Sequence, residues 1–322
     1  MVALALLFLL NNFLIFWMDW PGPLALAAHQ GWLGLEPLPQ PLADGAIALG
    51  WIQIAIICVG LGASVVYSLV TPSVGLRAEA DRLSGFVTYL VRSLFWAVLL
   101  VGLVDALISF LRVEGLLVPL VGEQITLSLG KNSYRGTYVH YPVMLLGFVI
   151  ALFVRGVGFT WLALLVVLSQ FAIVITRFIF SYEQAFMGDL VRMWYAALFL
   201  FASSYALVNE GHVRVDVLYS RFKDRAKAYS NAVGCLLLGI PLCWIILMTG
   251  MWGKGSSLNS PLLSFEVYQQ GFGMYTKYLM VGFLIVFAVC MLVQFTGYFL
   301  YNVAQLLGEE VSNEKYLQRS NS

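Results

Sequence analysis

The sequence predicts an all-α, multi-pass transmembrane protein with about eight spans and with both termini in the cytoplasm. Composition is the first observation, because 61% of the 322 residues are hydrophobic and the mean hydropathy is +0.85. Only 11% are charged, whereas a soluble domain has about 25%. The charges lie between long apolar segments, as expected when a charge in hydrocarbon costs about 2.5–3.5 kcal/mol. A net charge of +1 without basic motifs indicates that nucleic acid is not a partner.

Eight apolar segments are long enough, or nearly long enough, to cross a bilayer as helices, which takes about 20 residues. They cover residues 1–18, 45–70, 86–111, 138–154, 157–180, 190–208, 232–252 and 278–304. The third and the eighth are long enough to tilt in the membrane. The fourth is the shortest of the eight.

The first segment has two interpretations. It resembles the core of a signal peptide, and residues 25–27 (Ala-Leu-Ala) have the form of a cleavage site. No basic residue precedes the apolar run, however, and Asp19, Trp20 and Pro21 separate the run from that site. We therefore predict a retained first helix.

The connections differ in composition. Residues 19–44 hold five of the ten prolines, which predicts an extended loop without regular helix. Residues 112–137 mix apolar and charged side chains and fit an interfacial element, a re-entrant element or a plain loop. Residues 253–277 are rich in small, turn-forming residues and predict another loop, and Pro241 predicts a kink in the seventh span.

Lysine and arginine predict the orientation, because they accumulate on the cytoplasmic side. With a cytoplasmic amino terminus, eleven of the eighteen basic residues fall on that side. Residues 209–228 contribute five of them and form the main anchor loop, whereas residues 19–44 contain none. The eleven are Arg77, Arg82, Arg92, Arg155, Arg214, Arg221, Lys223, Arg225, Lys227, Lys315 and Arg319.

An ionisable residue within a span is a candidate functional residue. Asp105, in the third span, can bind a cation, relay a proton or pair with a partner helix. The structural alternative is a protonated or hydrogen-bonded acid near the outer interface, helped by Arg112 two turns away.

A second polar group flanks the short connection between the fifth and sixth spans. It comprises Arg177, Asp189 and Arg192. Asp189 and Arg192 are three residues apart on one helical face and can therefore pair. A structural clamp at the interface is the alternative to a substrate site.

Cofactor chemistry has little support. The four cysteines, at positions 58, 235, 243 and 290, lie in apolar runs without a CxxC pair and are predicted to be buried thiols. A haem held between helices needs two facing ligands, and of the three histidines only His140 lies near a span. No nucleophile has a visible base, so we predict no enzyme activity, no metal site and no cofactor.

The anchor loop carries the most specific motif. "GHVRVDVLYSR" comprises Gly211, His212, Val213, Arg214, Val215, Asp216, Tyr219 and Arg221 together with three intervening residues. Asp216 stands where a new helix is predicted and can cap it. The basic residues that follow would lie at the level of anionic lipid headgroups.

This motif closely resembles the signature loop of the small membrane subunit of TRAP transporters, the DctQ-like subunits. Arg177-Phe178, Asp189 and Arg192 match further family positions, whereas Phe186 replaces a Trp and Gly188 replaces an acid. The resemblance covers residues 156–308, with residues 1–155 as an extension of about four helices and residues 309–322 as a cytoplasmic tail.

The resemblance implies a role as a scaffold in a bacterial inner membrane. Its partners would be a large permease (M) subunit, which carries sodium-coupled uptake of an organic acid or related solute, a periplasmic substrate-binding protein, and membrane lipids. One alternative is a self-sufficient channel or transporter that uses Asp105 and the Arg177, Asp189 and Arg192 group. A further alternative is the membrane anchor of a redox complex.

Overall fold

A computed structural model describes residues 1–71, 75–155, 159–208, 219–268 and 273–309, and every regular element in these ranges is helical. The helices are α1 (Val2–Phe16), α2 (Pro23–His29), α3 (Asp44–Val70), α4 (Leu76–Val113), α5 (Leu117–Val121), α6 (Glu123–Leu129), α7 (Asn132–Arg135), α8 (Tyr141–Phe153), α9 (Phe159–Phe180), α10 (Ala185–Val208), α11 (Asp224–Gly234), α12 (Ile240–Met251), α13 (Asn259–Leu263) and α14 (Lys277–Leu307). The predicted all-α fold class is confirmed.

Seven helical segments within the described ranges are long and apolar enough to cross a membrane. They are α3, α4, α7 with α8, α9, α10, α11 with α12, and α14. The remaining predicted span is α1, whose 15 residues measure about 22 Å, less than the hydrocarbon thickness of about 30 Å. Residues 1–155 thus contain three of the seven spans and the shorter apolar helix α1.

Two spans contain a π turn that ends two residues before a proline. The turn Gly136–His140 precedes Pro142, and the turn Cys235–Gly239 precedes Pro241. Proline has no N–H, and its ring clashes with the carbonyl four residues earlier. The backbone hydrogen bonds therefore change from a spacing of four residues to one of five at these turns. The π turns let both spans continue through the proline, from Asn132 to Phe153 and from Asp224 to Met251.

The connections are more helical than predicted. The prediction that residues 19–44 lack regular helix is wrong, because α2 occupies Pro23–His29. Pro23 is the first residue of α2, where the missing N–H would have no intrahelical partner in any case. Residues 112–137 contain α5 and α6 before α7 opens the next span, and residues 253–277 contain α13.

The main apolar core forms where α4, α10 and α14 pack together, with α8 and α9 against them. Its fully buried members include Val101, Met193 and Ala197. Helix α8 lies so close to α4 that a Cβ on Gly147 would come within 2.6 Å of the Ala97 nitrogen. The core therefore contains residues from both sides of the predicted division at residue 155.

Two helices pack at the edge of this core. Helix α1 contacts α12 and α14 through Ala5, which lies beside Cys243 and Leu292. Helix α3 packs mainly on α1 and α2, and residues 61–70 are exposed around the whole helix. Cys58 on α3 is likewise exposed, whereas the other three cysteines are buried as predicted.

Candidate functional site: a buried polar cluster

The polar side chains gather at one end of the bundle, where α4 ends and where α8, α10 and α14 begin. We call this the distal end, and we call the opposite end, where α10 and α14 finish, the proximal end. Asp105 lies about two turns before the end of α4 and is fully buried. It is the centre of a buried polar cluster, here named the distal cluster, which comprises Asp105, Ser109, Arg135, His140, Tyr275 and Tyr278.

Arg135 is the cationic partner of Asp105. Its Nη1 lies 3.0 Å from Asp105 Oδ1 and 3.2 Å from Ser109 Oγ, and its Nε donates to the carbonyl of Leu129 at 3.0 Å. The guanidinium stands 4.0 Å from the centre of the Tyr275 ring. Both charged side chains are 0% exposed, so each compensates the desolvation of the other.

His140 contributes a second contact to the same carboxylate. Its Nε2 lies 3.0 Å from Asp105 Oδ1, and its Nδ1 lies 2.8 Å from the Tyr278 hydroxyl. A carboxylate only accepts hydrogen bonds, so Nε2 carries the proton that points to Asp105. In the tautomer with its proton on Nε2, Nδ1 accepts from the Tyr278 hydroxyl, and every polar atom of this chain of contacts is matched.

The π turn explains why Arg135 and His140 reach the same atom. The two residues are five apart, and in an α-helix this spacing directs side chains to different faces. A π turn closes hydrogen bonds between residues five apart, and Gly136–His140 is such a turn. The turn that accommodates Pro142 therefore also brings both side chains onto the face that meets α4.

Two acids hold the segment that leads into α14. Asp105 Oδ2 accepts the backbone N–H of Tyr275 at 2.8 Å, and Asp189 Oδ2 accepts that of Met274 at 3.1 Å. Ser109 donates to the carbonyl of Gly273 at 3.4 Å. Side chains from α4 and α10 thus fix three consecutive residues of the main chain.

Arg112, which the sequence places near Asp105, joins the cluster through Tyr275. Its Nη1 lies 2.6 Å from the Tyr275 hydroxyl, which donates in turn to the carbonyl of Gly130 at 3.0 Å. These contacts tie the turn after α6 to the entrance of α14.

The predicted group of Arg177, Asp189 and Arg192 forms two ion pairs. Arg192 Nη1 lies 3.3 Å from Asp189 Oδ1, with Asp189 buried and Arg192 exposed. Arg177 Nε lies 3.3 Å from Glu183 Oε2, and both of these side chains are exposed. Asp189 therefore contributes to the core, whereas Arg177 belongs to the surface.

The connection between α9 and α10 also contacts the end of α4. The Tyr182 hydroxyl donates to Glu114 Oε1 at 2.7 Å. Desolvation and the neighbouring Glu114 carboxylate raise the pKa of Tyr182 to about 12, because both favour the neutral phenol.

One part of the chain is similar to a known protein family. Residues 166–306 match the model of the family described as "Tripartite ATP-independent periplasmic transporters, DctQ component". The match covers less than half of the 322 residues, and we call residues 166–306 the DctQ domain after it. Comparisons with curated proteins and with solved structures gave no match.

The DctQ domain contains most of α9 and all of α10 to α13, and it ends one residue short of the end of α14. Helices α1 to α8 precede it as an N-terminal extension. The distal cluster joins the two parts, because Asp105 and Arg135 come from the extension, and Tyr275 and Tyr278 come from the domain. The chain is thus a multi-pass membrane protein with a domain characteristic of TRAP transporters.

The structure describes only part of the loop whose sequence resembles the family signature. Gly211, His212, Val213, Arg214, Val215 and Asp216 lie outside the described residues, as does the predicted cap at Asp216. Tyr219 and Arg221 are described and form a short 3-10 turn before α11. Asp224 occupies the first turn of α11.

A second polar cluster lies at the proximal end of the DctQ domain, and we name it the proximal cluster. The Asn231 Nδ2 donates to the hydroxyls of Tyr219 and Tyr298, at 2.9 and 3.0 Å, and lies 3.2 Å from Asn302 Oδ1. Close to this cluster, the Glu309 carboxylate accepts the backbone N–H of Leu76 at 3.0 Å. An acid at the first turn of α4 favours the positive end of that helix.

The sequence points to Asp105 and Asp189 but not to the roles of Arg135, His140 and Tyr278. It places Arg135 in the connection before the fourth span and presents His140 only as a candidate haem ligand. One signal was available: a buried acid in a span requires a cation, and the next span begins close to Arg135 and His140.

Proposed function

We propose that this protein is the small scaffold subunit of a tripartite, ATP-independent transporter in a bacterial inner membrane. In this proposal a large permease subunit carries the solute, an organic acid or related compound, and couples its uptake to sodium. A periplasmic binding protein delivers the solute at the distal end, which faces the periplasm. The observation that carries the proposal is the DctQ domain over residues 166–306.

The geometry of Asp105 supports a structural role. Its Oδ1 contacts Arg135 and His140, and its Oδ2 accepts the N–H of Tyr275. A cation site would need these oxygens as ligands, and a cation would then compete with the Arg135 guanidinium 3.0 Å away. The carboxylate serves better as a brace between α4, α7 and the entrance of α14.

The two alternatives have weaker support. A self-sufficient transporter would use Asp105 and the Arg177, Asp189 and Arg192 group together, yet Arg177 pairs with Glu183 at the surface. A redox anchor would need a free histidine facing a second ligand, whereas His140 is engaged by Asp105 and Tyr278.

The direct test is to purify the tagged chain in mild detergent from its native membranes and to identify bound proteins by mass spectrometry. We expect a multi-span permease of the TRAP type at near one-to-one ratio. An unrelated tagged membrane protein from the same cells serves as the control. Recovery of the chain alone, under conditions that preserve known membrane complexes, would contradict the proposal.

A second test separates the scaffold from the self-sufficient transporter. The purified chain in liposomes is expected to show no solute or ion flux, both as the native protein and as Asp105→Asn. Flux through the native chain alone that disappears in Asp105→Asn would identify Asp105 as a transport residue and overturn the scaffold role.

A further inference from the structure

Gln170 is a polar side chain that projects from the middle of α9. It is exposed, and among the described residues it has no hydrogen-bond partner. Helix α9 has 22 residues, and ten of them follow Gln170, the last being Phe180. At about 1.5 Å per residue, the amide lies about 15 Å from either end of the helix. This places it near the middle of a hydrocarbon core that is about 30 Å thick.

An amide at this depth needs a partner that lipid tails do not supply. Hydroxyls on the same helix find their partners within the helix. Ser169 donates to the Leu165 carbonyl at 2.7 Å, and Thr176 donates to the Ala172 carbonyl at 2.9 Å. The Gln170 amide makes no such contact. The Gln170 amide therefore needs a hydrogen-bond partner from outside the chain.

The rest of α9 agrees with a helix that meets another protein. Only 6% of its apolar stretch is buried within the chain, the smallest share of the seven spans in the described ranges, against 50% for α14. Large side chains flank the amide on the exposed side, among them Val167, Phe171 and Val174. They lie on the same exposed side as the amide, and a glutamine on a transmembrane helix can hydrogen-bond to a neighbouring helix.

The outward face of the span from Asp224 to Met251 provides a contrast. Leu237 and Leu238, in the π turn at the middle of this span, and Ile245, on α12, are exposed there. The Thr249 hydroxyl farther along α12 donates to the Ile245 carbonyl at 2.6 Å. This face presents hydrocarbon alone, so lipid covers it without leaving a polar group unmatched.

We propose that the exposed face of α9 around Gln170 docks a transmembrane helix of the large permease subunit, which presents a hydrogen-bonding group to the Gln170 amide. The inference rests on the proposed function and adds to it the surface through which the two subunits meet. A permease fits better than a second copy of this chain, because α9 opens the DctQ domain, a component of transporters assembled from different proteins.

Site-specific photo-crosslinking tests this surface in the native membrane. A benzophenone amino acid replaces Gln170 in one variant and Leu238 in the matched control. Leu238 is 73% exposed and lies at the midpoint of the span from Asp224 to Met251. We expect the position 170 variant to form a covalent product whose peptides identify the large permease, and we expect none from position 238.

Substitution of the amide provides a second readout. Gln170→Leu keeps the size but removes the hydrogen bond and is expected to lower the recovery of permease with the tagged chain roughly three-fold, the average for such a bond in a membrane. Gln170→Asn retains the amide and should recover part of the loss. Leu238→Ala is the control and should leave recovery unchanged.

The outcomes separate the two proposals. If native protein recovers the permease but position 170 crosslinks only to lipid or to a second copy of the chain, the docking surface is wrong and the scaffold role stands. Equal crosslinking from positions 170 and 238 would also overturn the docking surface. If native protein recovers no permease, the scaffold role fails, and the docking surface fails with it.

Discussion

At both ends of the bundle, polar side chains join segments that are distant in the chain, but the chemistry of these contacts differs between the two ends. At the distal end, charged side chains are fully buried, and Asp105 is enclosed by Arg135 and His140. At the proximal end, the partly buried Asn231 and Tyr219 meet through neutral amides and hydroxyls. Both clusters join elements that are distant in the chain, but among the described residues only the distal cluster contains an ion pair.

The two clusters should therefore differ in how much stability is lost when one member is removed. Removing one member of a buried ion pair leaves the other charge uncompensated in a medium of low dielectric constant. Removing one member of a partly exposed amide network leaves groups that water can reach and satisfy. Variants at the distal end should therefore unfold the protein far more readily than variants at the proximal end.

Arg135→Met should have the largest effect, because it leaves the Asp105 carboxylate buried without a cation. We expect a loss of about 3–5 kcal/mol in the free energy of unfolding. Thermal unfolding in detergent, followed by a thiol-reactive dye, measures this through the buried Cys235, Cys243 and Cys290. Cys58 is exposed, so the assay uses a Cys58→Ser background.

His140→Phe should rank second, because it keeps the ring volume while removing the contacts to Asp105 and Tyr278. A hydrogen bond to a charged group contributes about 1.5–3 kcal/mol, and we expect a loss of that size. Tyr278→Phe is the matched control and should cost about 1 kcal/mol, since it removes only the hydroxyl. Equal losses for the two variants would show that the contact between His140 and Asp105 contributes nothing.

Asn231→Leu tests the proximal cluster and should cost about 1 kcal/mol, because water can replace part of what the amide provides. The measurement is the same dye assay in the same background. A loss as large as that of Arg135→Met would remove the contrast between the two ends.

Arg177→Gln should have the smallest effect, because the pair with Glu183 is exposed on both sides. Such pairs contribute about 0–1 kcal/mol and weaken as salt screens them. Unfolding at low and high ionic strength should show a small difference between native and variant protein that shrinks as salt increases. A large, salt-independent loss would place Arg177 in a buried network.

The sequence predicts the spans well because the cost of charge in hydrocarbon leaves a strong pattern. It also points to Asp105, since an acid inside a span is rare, and to Asp189, since its spacing from Arg192 predicts a pair on one helical face. It does not show that Arg135 is buried, because the apolar run begins only after it and the π turn Gly136–His140 leaves no mark in hydropathy. At residues 19–44 the prolines predict no regular helix, but the proline-free run that follows Pro23 forms most of α2.

The central claim is that Asp105 braces the fold of a scaffold subunit, and a double-mutant cycle tests it most directly. The cycle compares the thermal stabilities of Asp105→Asn, Arg135→Met and the double variant, all in the Cys58→Ser background. We expect the stability loss of the double variant to be about 1–3 kcal/mol smaller than the sum of the two single losses, because the double variant no longer buries an unpaired charge. Single losses near zero, or losses that add to within about 0.5 kcal/mol, would contradict it and leave Asp105 free to act in transport.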